Sequence, residues 1–178
     1  MIILGIDQGI ATTGYGVVKL KTQQKLLKSQ KIKDSNFQCL ELGCILTDQS
    51  KRFSLRLKKM SSHLRTIIKK YNPDICAIET LFFFQNKKTA IQVSQAAGVT
   101  LYTLEQCGIP VVEFSPQEVK KSLTNNGWAK KQHIQEKVKK IFKLKEIPYS
   151  DDAADALAIA YYCAKRYIQD NTIINQRK

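Results

Sequence analysis

Acidic residues are scarce in this chain of 178: 15 Asp and Glu stand against 29 Lys and Arg, a formal net charge of +14. Such an imbalance points to a polyanionic partner, because lysines and arginines that neutralise phosphates release condensed counterions and gain affinity. The competing account is lysine used only for solubility. Cysteine is sparse as well. Cys39, Cys44, Cys76, Cys107 and Cys163 form an odd set without CxxC spacing, which reads as buried free thiols in a reducing compartment. Only two histidines occur, His63 and His133, and each stands alone without a catalytic role. No basic segment precedes the first apolar run, and that run contains Asp7, so neither a signal peptide nor a membrane span is expected. The expectation is a cytoplasmic protein that makes no membrane contact.

What is present is an ordinary globular composition, with 43% hydrophobic and 25% charged residues, enough for one domain with a real core. That domain is expected over residues 1–168, with 169–178 a polar tail. Residues 1–6 read as a buried strand that ends at Asp7 and a turn through Gly9, residues 15–20 as a second strand, and 42–47 as a third. The lysine-rich connector 21–37 reads as an exposed hairpin arm. Apolar residues recur at helical spacing over 53–71, with Arg56 sorted to the polar side, until Asn72-Pro73 stops the helix. A short strand over 75–79 follows, then a helix over 87–107 with Gly108 as its C-cap, and a fifth strand over 110–114. Helices over 117–123 and 131–142 precede a last one that opens at Ser150 and runs from 151 to about 167. This order describes an α/β layered domain.

Two carboxylates, Asp7 and Glu79, end strands, and that sheet edge is where α/β folds bind ligands. Asp152 and Asp155 are three apart in the last helix and therefore share a face. If that helix crosses the same edge, the four acids converge. Clustered carboxylates repel unless a cation lies between them, and all-oxygen ligands suit Mg²⁺ or Mn²⁺. Two such ions support phosphodiester hydrolysis. Against this, an acid after a strand is often a turn residue, and acids in a first helical turn complement the dipole. Asp151 is assigned that dipole role.

Three blocks of the chain resemble a known family. Ile2-Ile3-Leu4-Gly5-Ile6-Asp7 with Gly9 and Thr13-Gly14-Tyr15-Gly16-Val17 is similar to the opening of RuvC-type Holliday junction resolvases. Pro73-Asp74, Ala77-Ile78-Glu79, Phe82, Asn86, Gln95-Ala96 and Gly98 resemble their central block, and 152–160 resembles their closing helix. The resemblance implies a ribonuclease H-like fold: a five-stranded mixed sheet, three antiparallel strands then two parallel, flanked by helices. It also implies a homodimer that nicks opposing strands of four-way junction DNA in recombination and repair. On the same ground Asp7, Glu79, Asp152 and Asp155 would be the catalytic and metal-binding residues, holding two Mg²⁺ per site, with Mn²⁺ able to substitute. Phe82, Asn86, Lys120 and Lys131 would contact DNA, and a RuvA/RuvB-like branch-migration complex would be a partner. Core packing is the alternative for Phe82, and plain solvation for each lysine. The wider cluster of Lys120, Lys121, Lys130, Lys131, Lys137, Lys139 and Lys140 suits a phosphate-facing surface.

The chain departs from the family at Gln8, where proline is usual, and in the longer, more basic connector 21–37. Three other functions compete: a ribonuclease H acting on RNA, a binding module without catalysis, and one half of a sugar-kinase or actin-like ATPase. The last needs a second phosphate loop that the chain lacks.

Overall fold

The computed structural model describes residues 1–21, 34–80 and 90–170. Its order is β1 (Ile2–Asp7), β2 (Thr12–Leu20), β3 (Phe37–Leu46), α1 (Phe53–Tyr71), β4 (Ile75–Glu79), α2 (Ala90–Gln106), β5 (Val111–Phe114), α3 (Pro116–Thr124), α4 (Lys131–Phe142) and α5 (Asp151–Asp170). The sheet runs β3-β2-β1-β4-β5; β1, β2 and β3 pair antiparallel, while β4 and β5 continue parallel to β1. The expected mixed sheet is therefore present. Its third strand begins earlier than the sequence pattern suggested, at Phe37, because residues 37–39 pair with Val18, Lys19 and Leu20 beyond a bulge at Val17/Val18. Most of the connector 21–37 lies outside the described residues.

Both faces of the sheet are covered, which explains why β1 and β4 are apolar throughout. Leu4, Ile6, Cys76 and Ile78 pack against Leu64, Ile67 and Ile68 of α1 and Leu104 of α2. Ile3, Ile75 and Ala77 face the other way, into a core built from α3, α4 and α5. Alternation along a strand places Asp7 with Ile3 and Gly5, and Glu79 with Ile75 and Ala77, on that second face.

The apolar periodicity of α1 is as read from the sequence, with one exception. Arg56 is buried at 8% exposure, and its Nε donates to Thr47 Oγ1 at 3.0 Å, while Thr47 Oγ1 in turn donates to the Ile10 carbonyl. A residue sorted to the solvent side thus braces the turn after β1. Gly108 closes α2 with φ +68, as a C-cap requires. Of the five thiols, Cys76 and Cys163 are buried, whereas Cys39, Cys44 and Cys107 are only half-buried; all five are free.

Helix α5 lies unusually near the sheet. A Cβ on Gly5 would sit 2.1 Å from the Ala156 carbonyl oxygen, one on Gly14 2.0 Å from that of Asp152, and one on Gly16 2.7 Å from Leu157 Cα. Each neighbour is backbone, so no side-chain rotation relieves the clash. The facing residues of α5 include Ala153, Ala156 and Ala160, all fully buried. Small residues on both sides let helix and strand backbones meet. Gly5→Ala is expected to lower unfolding stability by about 1–3 kcal/mol or more, read by urea titration, and to lower any cleavage activity with it because α5 must lift. Unchanged stability would show that the close contact is not needed.

Candidate active site

The parallel register of β1 and β4 pairs Ile3 with Ile75 and Ile6 with Ile78, so one further step sets Asp7 alongside Glu79. Adjacent strands are about 4.8 Å apart and both residues face α5. On the other side of Asp7 is Gly14 of β2, its antiparallel partner. The absent side chain of Gly14 is the space that the Asp152 backbone fills. The first turn of α5 is thereby set over the C-terminal end of β1, and Asp155 follows one turn later on the same face. Ser150 opens the helix: its carbonyl accepts from Ala154 N at 3.2 Å, and its Oγ donates to Asp152 Oδ2 at 3.4 Å.

The electrostatics agree with this placement. Asp7 has its pKa pushed up to about 8, first by burial and then by the charges of Asp155, Glu79 and Asp152. Glu79 is raised to about 7 by burial and by Asp155, and Asp155 to about 6, mainly by burial. The three carboxylates and Asp152 therefore share one field. Lysines oppose it: Lys131 lowers Asp7 and Asp155, and Lys120 lowers Glu79 and Asp155. Both lysines expected near DNA thus lie beside the acids, at α3 and at the start of α4. Phe82 and Asn86 lie outside the described residues.

Asp151 does more than complement a dipole. Its Oδ1 accepts from Gln135 Nε2 at 2.8 Å, and its Oδ2 pairs with Lys131 Nζ at 3.4 Å, which holds that ammonium next to the other acids. The sequence carried no local mark of this pairing, since residues 131 and 151 belong to different helices. Gln8, the departure from the usual proline, leaves its Oε1 buried without a hydrogen-bond partner. Among the described residues, no three His, Cys, Asp or Glu side chains lie close enough together to hold a metal ion as they stand. The donor chemistry nevertheless fits a hard divalent cation: every candidate ligand is a carboxylate oxygen, and their mutual repulsion is what a bound cation would relieve.

Comparison with known proteins bears on this arrangement. The family model of crossover junction endodeoxyribonuclease RuvC matches residues 3–163. A protein of that name from Caldicellulosiruptor saccharolyticus is 43% identical over 160 residues, 90% of either chain. Among solved structures, RuvC of Thermus thermophilus superposes with a TM-score of 0.81 at 29% identity, over 97% of this chain and 98% of that one. The Thermus thermophilus RuvC in complex with a Holliday junction substrate gives 0.82 at 29% identity, over 95% and 96%.

A raised carboxylate pKa means that the folded state favours the proton. Asp7 therefore costs nothing below its unfolded value of 3.8, and stability is lost as pH rises toward about 8. In metal-free protein with a chelator present, Asp7→Asn is expected to melt higher than the parent, by roughly 2–4 °C per kcal/mol relieved. Melts at pH 5 and pH 8 test this; the gap should widen at the higher pH, and a gap independent of pH would refute the assignment.

Proposed function

Because the chain belongs to the RuvC family of crossover junction endodeoxyribonucleases, with a ribonuclease H-like fold, we propose that Asp7, Glu79, Asp152 and Asp155 form its metal-binding catalytic centre. The protein is an endonuclease that resolves four-way DNA junctions in recombination and repair. The observation that supports the site is the register that sets Asp7 beside Glu79, with the first turn of α5 packed over Gly14 at the same sheet edge. Divalent cations, two Mg²⁺ per site in this proposal, would supply the charge that activates water and steadies the departing oxygen.

The chain's own groups do the rest. Asp7 and Glu79, fixed on neighbouring strands, and Asp152 and Asp155 of α5 would hold the ions. Lys120 and Lys131 would draw the phosphate toward an otherwise repulsive cluster, and Asp151 keeps the Lys131 ammonium in place. The lysines nearest the acids are fewer than those farther along α3 and α4, where Lys121, Lys137, Lys139 and Lys140 would meet the arms of the DNA.

Paired cutting calls for two sites related by a two-fold axis, so a homodimer belongs to this proposal. Helix α2 supports it: Ala96, Ala97 and Leu104 are buried, whereas Ile91, Leu101 and Tyr102 are exposed. Among the described residues no helix is long and apolar enough to cross a membrane. Three half-buried free thiols favour a reducing compartment, the cytoplasm.

The test is a labelled four-way junction beside a matched linear duplex and an RNA–DNA hybrid, each with and without Mg²⁺. The junction alone should be cut, and only with the metal; preferential cutting of the hybrid would favour a ribonuclease H instead. Asp7→Asn should lose cutting by about a hundredfold or more while junction binding is kept or strengthened, and retained cleavage would remove Asp7 from the site. Mass in solution should be that of two chains, and monomer alone, with and without junction, would count against paired nicks.

A further inference from the structure

Between α3 and α4 the chain exposes its single tryptophan. Trp128 is 82% accessible, the most exposed large hydrophobic side chain among the described residues. Tryptophan carries more apolar surface than any other side chain and is normally well buried. The segment that carries it is not loosely held. Asn125 ends α3 in the left-handed region at φ 59, Trp128 N donates to Asn126 Oδ1 at 2.9 Å, and Ala129 N donates to the Asn126 carbonyl at 3.3 Å. Ala129, the next residue, is buried in the α3–α4–α5 core. Trp128 therefore stands exposed on a fixed stem rather than on a swinging loop.

Its neighbourhood is chemically specific. Lys130 and Lys131 follow directly, and Lys120 and Lys121 lie on the preceding helix. Lys131 is the ammonium that pairs with Asp151 and lowers Asp7 and Asp155. Three residues of chain span at most about 11 Å, so the Trp128 backbone is within that distance of a residue bound into the acidic cluster. A second exposed ring, Tyr149 at 81%, precedes Asp151 at the other end of the same ion pair. Cations beside an exposed indole match a ligand with phosphates and flat π-faces together, which is a nucleic acid strand. A protein partner or a second copy would gain little from the surrounding positive charge.

We propose that Trp128 is a base-stacking platform for the DNA strand held at the acidic site, gripping nucleobases where Lys130 and Lys131 grip phosphate. The inference rests on the nuclease function proposed above. Stacking is indifferent to base identity, so Trp128 would add affinity and positioning without adding sequence preference.

The single tryptophan is its own reporter, because any indole emission comes from this position. With a chelator present to prevent cutting, titration with four-way junction should quench that emission. Inorganic polyphosphate at matched ionic strength, which offers phosphates without bases, should not. Trp128→Ala should weaken junction binding roughly 5- to 100-fold, and Trp128→Phe should recover most of the loss. Unchanged emission in a complex seen by mobility shift would overturn the proposal, as would an equal response to polyphosphate or full binding by the alanine variant. Blue-shifted emission in DNA-free protein that moves red on dilution would overturn it too, since a second copy would then cover the ring. Wild-type protein is assayed for Mg²⁺-dependent junction cutting alongside. Cutting with a silent indole refutes the platform alone, whereas no binding and no cutting refutes the nuclease function and the platform with it.

Discussion

The close packing of α5 on β1 and β2 governs the rest of this molecule. Three glycines, Gly5, Gly14 and Gly16, remove the side chains that would hold the helix off, and alanines of α5 answer from the other side. The contact is backbone to backbone, so a single methyl group is enough to disturb it. It brings the first turn of α5 over the end of β1, where Asp7 stands next to Glu79. Without it the aspartates of the helix and the acids of the strands would belong to separate regions.

That same packing creates an electrostatic problem. Burial raises Asp7, Glu79 and Asp155, and the charge of Asp155 raises Asp7 and Glu79 further. A cluster of this kind is unfavourable for folding by itself and favourable for a cation. The chain moderates the repulsion with Lys120 and Lys131 instead of removing it, and it ties Lys131 down through Asp151 and Gln135. A +14 chain with a negative hollow fits a polyanion that is gripped over a broad surface and attacked at one point.

Much of this was legible from the residues, and the reasons are local. A strand of continuous Ile and Leu that stops at Asp7, and another that stops at Glu79, announce the sheet and put two carboxylates at one edge of it. The spacing of Asp152 and Asp155 fixes a common face. What escaped is what depends on contacts between distant segments. Arg56 looked solvent-facing on the wheel of α1, yet the Thr47 hydroxyl and the turn after β1 draw it inward. Asp151 looked like a dipole partner because Lys131 is on another helix. Trp128 sits in a stretch without periodicity, where exposure is not encoded by neighbours; its surroundings become visible only once Ala129 is seen anchored in the core. Gly5, Gly14 and Gly16 belong to the motif of the resemblance, but the reason for them, a helix more than a hundred residues away in the chain, is visible only in the fold.

The order in which the acids are made adds a temporal consequence. Of the four acids Asp7 leaves the ribosome first and Asp155 last, and at about 5–20 residues per second the two are separated by many seconds of translation. During that interval the early strands can pair, but α5 is not yet there to cover them, so the four acids are not assembled. On the site proposed above, a nascent chain that already carries most of its basic surface would cling to nucleic acid without cleaving it, and competence would arrive as a single late event when α5 docks.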